Sequence, residues 1–222
     1  MAARTVFADR RQAGRVLART LGAYADRADV IVLALPRGGV PVAYEVAQAL
    51  HAPLDVFIVR KLGVPGHEEY AMGALATGGM RVLNDSVVRA LGISQAAVEA
   101  VTRSEQQELE RRERLYRGDL PPPEVHDRTV ILVDDGLATG STMLAAVKAL
   151  KTRAPGRIVV AVPTAAADTC EDLRREADEV ICASTPEPFR AVGLWYQDFS
   201  QTSDEEVRAL LAQARQDAAH PL

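Results

Sequence analysis

Two neighbouring carboxylates, Asp134 and Asp135, stand between an apolar run and a loop of small and hydroxyl-bearing residues. The apolar run, residues 130–133, is typical of a strand that is buried on both faces. The loop opens a predicted helix, whose first turn offers unpaired N–H groups at the positive end of the helix dipole. Such a turn binds phosphate readily. Because adjacent carboxylates can accept hydrogen bonds from a vicinal diol, the pattern indicates a ribose 5-phosphate ligand.

The loop after the carboxylates supplies the groups that a bound phosphate requires. Gly140 lets the backbone approach the ligand closely, and hydroxyl donors flank it. The predicted phosphate-binding residues are Gly136, Leu137, Ala138, Thr139, Gly140, Ser141 and Thr142. A structural alternative stands beside this interpretation, because Asp and Thr at a strand–helix turn often only cap the helix.

Alternating strands and helices must position this loop. Apolar runs predict strands at 30–35, 54–59, 130–133, 158–162 and 180–183, and amphipathic or capped segments predict helices at 9–24, 41–50, 94–116, 142–151, 167–176 and 205–215. This order predicts an α/β fold with a mostly parallel twisted sheet and helices on both faces. Ligands of such sheets bind outside the carboxyl ends of the strands. Three unusual loops meet at that edge: 36–40, 60–79 and 134–142.

Composition excludes several classes of protein. The chain has 222 residues and a formal net charge of −4, so its bulk charge does not indicate a nucleic-acid partner. No apolar run approaches the roughly 20 residues that span a membrane, and the N-terminus lacks the apolar core of a signal peptide. We therefore expect a cytoplasmic protein. Two cysteines, Cys170 and Cys182, make neither a disulfide framework nor a zinc pattern, and we expect both to be reduced.

Residues 130–142, VILVDDGLATGST, resemble the motif that binds 5-phosphoribosyl-1-pyrophosphate (PRPP) in type I phosphoribosyltransferases. That motif consists of two acidic residues followed by a Thr-Gly-x-Thr loop. The resemblance implies that Asp134 and Asp135 hold the 2′- and 3′-hydroxyls of the ribose. It also implies that residues 138–142 hold the 5′-phosphate.

The same resemblance extends to the ends of the first two strands. Arg37, Gly38 and Gly39 follow the first strand and are similar to the loop that holds pyrophosphate in this family. Lys61, with Arg60 beside it, falls where the family places a basic residue near the pyrophosphate. The alternatives are a plain strand–helix turn for the first segment and a solvated basic pair for the second.

The resemblance also implies an architecture for the whole chain. We expect a single phosphoribosyltransferase-like domain over residues 1–222, with a core of about 28–185 and a small hood from about 186–222. The N-terminus can contribute to the hood, and a charged helix at about 94–118 looks like an insertion. The segments FADR, PRGGVPVA, EEYAMGA and a C-terminal Tyr-x-Asp-Phe are similar to a bacterial group of phosphoribosyltransferase-like proteins.

Glycines between residues 62 and 79 predict a mobile loop with a short strand inside it. Residues 63–79 match in position the mobile catalytic loop of the family. Glu68 and Glu69 are its candidate acid or base residues, and His67 and Tyr70 lie beside them. Solvated loop side chains are the alternative. Ala138 stands where hypoxanthine–guanine enzymes carry an aspartate that acts on the base. The motif is instead similar to that of adenine phosphoribosyltransferases, which argues against a 6-oxopurine acceptor.

The hood supplies the candidates for base recognition. Trp195 or Tyr196 can stack on a heterocycle, and Asp198 can accept from an exocyclic amine. Packing of this aromatic segment against the core is the alternative.

Together these features predict an enzyme that transfers the phosphoribosyl group of PRPP to a nucleobase-like acceptor and releases pyrophosphate. Asp134, Asp135, Arg37, Lys61, Glu68 and Glu69 are its candidate catalytic residues. The resemblance implies Mg²⁺ held mainly through the substrate, with Asp134 and Asp135 as possible ligands, and a homodimer with no nucleic-acid or membrane partner. The alternatives are a non-catalytic PRPP- or nucleotide-binding regulator and a Rossmann-like nucleotide protein. The second predicts a G-x-G-x-x-G turn that residues 36–40 do not form.

Overall fold

A five-stranded parallel sheet in the order β2-β1-β6-β7-β8 forms the centre of the protein. The computed structural model describes residues 6–219, apart from the side chains of Glu69 and Ala219. The strands are β1 Val30–Ala34, β2 Leu54–Val56, β3 Val59–Val64, β4 His67–Ala76, β5 Met80–Leu83, β6 Thr129–Val133, β7 Arg157–Thr164 and β8 Glu179–Ser184. The helices are α1 Arg10–Thr20, α2 Gly39–Leu50, α3 Asp85–Ala90, α4 Gln95–Arg117, α5 Ser141–Lys151, α6 Ala167–Arg174 and α7 Asp204–Ala219.

Both faces of the sheet are covered, which explains its apolar strands. All five residues of β1 and all five of β6 are buried. Alternate residues of a strand point to opposite faces, and the core accordingly divides in two. Val30 and Val32 pack in the cluster that contains residues of α2 and α7, whereas Ile31 and Leu33 pack in the cluster that contains residues of α5 and α6. The predicted α/β class is confirmed.

A second, antiparallel sheet of β3, β4 and β5 follows the first two strands of the core. This differs from the prediction, which had one strand over 54–59 and, over 62–79, a mobile loop with a short strand inside it. The glycines of this stretch were the misleading signal. Gly73 lies in β4 with no room for a side chain, because a Cβ there would be 2.4 Å from the carbonyl oxygen of Val82. Glycine therefore serves close strand packing here rather than flexibility.

The long charged helix forms as predicted and is capped at its start by Ser94, whose hydroxyl accepts from the Ala97 N–H at 3.2 Å. Its last residue, Arg117, is anchored in the core sheet: Nε lies 3.0 Å from an oxygen of Asp55, and the Arg117 side chain is 3% exposed. Helix α4 thus joins β2 at one end and packs along β3. Its status as an insertion relative to the family stays a prediction.

Both terminal helices begin near their predicted positions. Asp9 caps α1, accepting from the Gln12 N–H at 2.7 Å. At α7 the sequence places Asp204 immediately before the predicted helix 205–215, which predicts Asp204 as its cap. The cap is instead Ser203, whose hydroxyl accepts from the Glu206 N–H at 3.1 Å. Asp204 lies in the first turn and is free to bind side chains of other elements.

The two cysteines also differ from the prediction. Cys170 of α6 and Cys182 of β8 form a disulfide, whereas we expected two reduced thiols. The reason lies in tertiary structure: α6 packs against β8, which brings together two residues that are 12 positions apart. No helix within residues 6–219 is both long and apolar enough to cross a membrane.

Candidate functional site

Asp134 and Asp135 lie at the carboxyl end of β6, and both are only partly exposed. The carboxylate of Asp134 accepts from the backbone N–H of Asp135 at 2.8 Å. Burial raises the pKa of Asp134 well above its usual value, and the neighbouring carboxylate raises it further. Burial also raises the pKa of Asp135, against the lowering effect of Arg10. A pair of desolvated carboxylates is held at a stability cost, which is typical of a functional site.

The variant Asp134→Asn is expected to be more stable than the wild type by about 1 kcal/mol near neutral pH. A carboxyl group whose pKa is raised in the folded state destabilises the fold at pH values above that pKa. This destabilisation disappears as the pH falls through the raised pKa. Asparagine removes that charge and can still accept from the Asp135 N–H. Urea unfolding at pH 7 and pH 4 measures the free energy of unfolding of both proteins. If the variant's extra stability at pH 7 persisted undiminished at pH 4, the electrostatic explanation would be wrong.

The loop between β6 and α5 exposes its polar side chains and is fixed by hydrogen bonds to neighbouring segments. Gly140 has a left-handed conformation (φ 66°) immediately before the first residue of α5. Ala138, Thr139, Ser141 and Thr142 are exposed, as a phosphate site requires. Two hydrogen bonds fix the loop: the Leu137 N–H donates to the buried Thr164 carbonyl at 3.0 Å, and the Thr169 hydroxyl donates to the Ala138 carbonyl at 2.6 Å.

The loop after β1 packs directly against the two aspartates. A Cβ on Gly38 would lie 2.1 Å from a carboxylate oxygen of Asp135, and one on Gly39 would lie 3.0 Å from the Cα of Asp134. The peptide bond between Pro36 and Arg37 is cis. The segment predicted to hold pyrophosphate therefore touches the pair predicted to hold the ribose.

Arg37 extends from this loop toward the last helix. Its guanidinium lies 3.9 Å from the carboxylate of Asp204, and the same carboxylate accepts from the Tyr116 hydroxyl at 2.5 Å. Burial and the hydrogen bond to Asp204 raise the pKa of Tyr116 to about 12. This contact links the loop to α4 and α7, and the sequence pattern gave no sign of it.

The variant Tyr116→Phe is expected to lower the free energy of unfolding by about 1 kcal/mol, since it removes one hydrogen bond to a charged acceptor that is partly exposed to solvent. Urea denaturation measures the change. Tyr70→Phe is the matched control, because Tyr70 is 55% exposed and its loss of a hydroxyl should leave the unfolding midpoint unchanged. Equal effects of the two variants would contradict the role given to the contact between Tyr116 and Asp204.

Arg10 is a site residue that sequence reasoning missed. Its Nε donates to Asp135 Oδ2 at 2.8 Å, although the two residues are 125 positions apart. The sequence places Arg10 only as the first residue of a helix, and no spacing rule connects it to β6. The FADR segment in which it lies was the one available signal.

Comparisons with known proteins place this geometry in a family. The family model described as "Phosphoribosyl transferase domain" matches residues 9–197. The chain belongs to this family. The match begins one residue before Arg10 and ends one residue after Tyr196, so it includes Arg10, the loop after β1, the two aspartates and the phosphate loop.

Individual relatives of the chain support its assignment to the phosphoribosyl transferase family. Two curated Mycobacterium tuberculosis proteins, from strains CDC 1551 and H37Rv and provisionally named phosphoribosyl transferases, are 47% identical over 214 residues, which is 96% of this chain. The chain spans about half the length of these relatives, 48%. The crystal structure of TT1426 from Thermus thermophilus is 43% identical with a TM-score of 0.84, over 94% of this chain and 98% of that one. The type I phosphoribosyltransferase fold predicted from the motif is confirmed.

The phosphoribosyltransferase resemblance also named residues that lie on β3 and β4 of the second sheet. Lys61 is exposed on β3 opposite Ala74, and Arg60 instead pairs with Glu105 of α4 at 2.7 Å. Glu68 is exposed near the β3–β4 turn and accepts from the Gly66 N–H at 3.3 Å. The side chain of Glu69 lies outside the described part of the structure. The catalytic roles of these residues stay predictions.

The aromatic residues of the hood are packed inside. Trp195 is 2% exposed and stacks on Phe189, with ring centroids 6.2 Å apart. Tyr196 is 6% exposed, and its hydroxyl donates to the Asp135 carbonyl at 2.6 Å. Asp198 is exposed, and a hydrogen bond from the Ser200 N–H lowers its pKa. Base recognition by these side chains stays a prediction, while Tyr196 has a second role as a support for Asp135.

An open cavity of about 530 Å³ lies between the loops that follow β7 and β8. Its wall includes two carboxylates, Asp168 and Glu187, and the ring of Phe189. Asp168 in this wall precedes Thr169, whose hydroxyl donates to the carbonyl of Ala138 in the phosphate loop. A planar ligand with hydrogen-bond donors at its edge suits such a wall.

Proposed function

We propose that this chain is a magnesium-dependent phosphoribosyltransferase that uses PRPP, transfers its phosphoribosyl group to a nucleobase-like acceptor and releases pyrophosphate. One observation carries the proposal: the backbone of residues 38–39 lies against Asp134 and Asp135, beside the exposed start of α5. Groups suited to pyrophosphate, a vicinal diol and a phosphate are therefore contiguous, in the order in which PRPP carries its own groups.

In this proposal the protein positions the substrate and stabilises charge. Asp134 and Asp135 accept hydrogen bonds from the ribose hydroxyls, while Arg37 and the N–H groups of the loop bind the leaving pyrophosphate. The bond between C1 and the pyrophosphate oxygen breaks with its electron pair leaving on oxygen. A nitrogen of the acceptor bonds to C1 and gives up a proton. Fixed carboxylates and donors lower the barrier because positive charge develops on the sugar as the pyrophosphate departs.

The residues of the site suit Mg²⁺ held through the substrate. Magnesium prefers oxygen ligands, keeps several waters and commonly binds through one or two carboxylates plus substrate phosphates. Asp134 and Asp135 supply the carboxylates. Within residues 6–219 no group of three or more His, Cys, Asp or Glu side chains forms a dedicated metal site. When bound, the ion would neutralise charge on the pyrophosphate.

The cavity beside the phosphate loop is the candidate acceptor site. Asp168 and Glu187 in its wall can accept hydrogen bonds, which favours acceptors with amino or ring N–H groups. Phe189 offers an aromatic contact for a planar ring. A nucleobase or a related heterocycle with an exocyclic amine fits these groups better than an anionic acceptor does.

The experiment that tests the proposal measures pyrophosphate release from PRPP and Mg²⁺ with a panel of purines, pyrimidines and related heterocycles. Release that requires one acceptor establishes the enzyme and identifies its acceptor class. PRPP binding without release for any acceptor favours the second candidate function, a non-catalytic regulator. Absence of both PRPP binding and release would refute the proposal.

Two further parts of the proposal come from the family resemblance, and each has its own test. A homodimer is expected, and light scattering on the purified chain measures its mass. A cytoplasmic location is expected, and fractionation of the source cells tests it. Because the chain covers about half the length of its curated relatives, both tests describe this chain and not those longer proteins.

A further inference from the structure

Arg10 lies where three parts of the chain meet, at the edge of the candidate site. It is the first residue of α1, and it contacts both the end of β6 and the hood. Backbone hydrogen bonds fix the segment just before it against the hood: the Phe7 N–H donates to the Trp195 carbonyl, and the Gln197 N–H donates to the Phe7 carbonyl, both at 2.8 Å. Arg10 is therefore held by a rigid frame.

The guanidinium of Arg10 is fixed on three sides. Nε donates to Asp135 Oδ2 at 2.8 Å, and Nη1 donates to the Ser200 carbonyl at 2.6 Å. The ring of Phe199 lies against its flat face, 4.0 Å from the guanidinium carbon to the ring centroid. Only 11% of the side chain is exposed. A planar cation with this many contacts has one orientation, which a lysine could not reproduce.

Asp135 is fixed in turn, but at one carboxylate oxygen only. Arg10 donates to Oδ2, and the Tyr196 hydroxyl donates to the main-chain carbonyl of Asp135. The hydrogen bonds found within residues 6–219 leave Oδ1 of Asp135 without a protein donor. A carboxylate held in this way has one oxygen available to accept from a ligand hydroxyl.

We propose that Arg10 is a positioning residue that acts through Asp135, holding its carboxylate so that Oδ1 accepts a hydroxyl of the bound ribose. The inference rests on the proposed function, because it requires a ribose phosphate in the site. Arg10 also lies near the loop after β1, since a Cβ on Gly38 would be 3.2 Å from its Nε. The competing role, direct contact between Arg10 and the ligand, makes a different prediction.

A double-mutant cycle separates these roles. The dissociation constant of ribose 5-phosphate is measured by calorimetry for the wild type, Arg10→Gln, Asp135→Asn and the double variant. Inorganic phosphate, followed by ³¹P NMR, is the second probe because it needs only the loop before α5. Arg11→Gln is the matched control: Arg11 is the next residue of α1 and pairs with Glu45 at 2.6 Å instead of with the site.

The expected result is that Arg10→Gln weakens ribose 5-phosphate by about tenfold, the effect of one hydrogen bond to a charged group. Phosphate binding should not change. The double variant should bind no more weakly than Asp135→Asn, because a residue that acts through another has no effect once that other is gone. The variant Arg11→Gln should bind both probes as the wild type does.

Two results would overturn the inference: unchanged ribose 5-phosphate affinity in Arg10→Gln, or effects of the two substitutions that add. If Arg10→Gln does not fold, the same cycle with Arg10→Lys decides by the same criteria, since lysine keeps the buried charge. A wild-type protein that binds ribose 5-phosphate no better than phosphate would refute the proposed ribose site itself. That failure is visible before any Arg10 variant is measured.

Discussion

Replacing both Asp134 and Asp135 by asparagine is expected to lower the rate of pyrophosphate release from PRPP by about a thousandfold. Each hydrogen bond from a ribose hydroxyl to a charged carboxylate is worth about 1.5–3 kcal/mol, and two of them are weakened. The lost negative charge lies close to the sugar that becomes positive in the transition state, which adds to the effect. Initial rates at saturating acceptor, together with the dissociation constant of PRPP, measure the loss.

A control pair with the same chemistry exists elsewhere in the chain. Glu171 and Asp172 are also adjacent carboxylates, but they are exposed on α6, and within residues 6–219 their ion pairs are with Arg174 and Arg175 of the same segment. Their replacement by glutamine and asparagine should leave the rate within about twofold. If the Asp134 and Asp135 variant retained most of the activity, or the control pair lost as much, the ribose role of the aspartates would be wrong.

The sequence could predict the motif because its signals are local. A buried strand, two carboxylates, a glycine and a helix start lie within 13 consecutive residues, 130–142, and each has a known conformational preference. The five strands of the central sheet were predictable for the same reason. The structure adds the spatial order of the strands within the sheet. Strands β1 and β6 are neighbours there, which brings the loop after β1 against Asp134 and Asp135.

The contacts that complete the site could not be predicted in this way. The pairs Arg10–Asp135 and Arg37–Asp204 join residues that are far apart in the chain, and one sequence contains no information on which partner a charged side chain selects. The stretch 62–79 was predicted to be mostly a loop for a different reason. Its glycines signal a loop by propensity, but tertiary packing uses the missing side chains of Gly63 and Gly73 to bring strands together.

The substitution Gly38→Ala is expected to weaken PRPP binding by about a hundredfold through a single methyl group. The added Cβ would lie 2.1 Å from Asp135 Oδ2 and 2.8 Å from its carboxylate carbon, so either the loop or the aspartate must move. Both belong to the proposed PRPP site, and a displacement of about 1 Å of a positioning group can cost about a hundredfold. Isothermal titration of PRPP in the presence of Mg²⁺ measures the change.

Backbone strain would not explain a loss of PRPP affinity in Gly38→Ala, so the variant tests the contact between the loop and Asp135. Gly38 has φ −59° and ψ −31°, a right-handed helical conformation that alanine adopts without strain. Gly22→Ala is the control for the general effect of removing a glycine, because a Cβ at Gly22 would meet no atom within 4 Å. It should bind PRPP as the wild type does. If Gly38→Ala also bound PRPP normally, the loop after β1 would tolerate displacement from Asp135, and the contact between them would not be what defines the site.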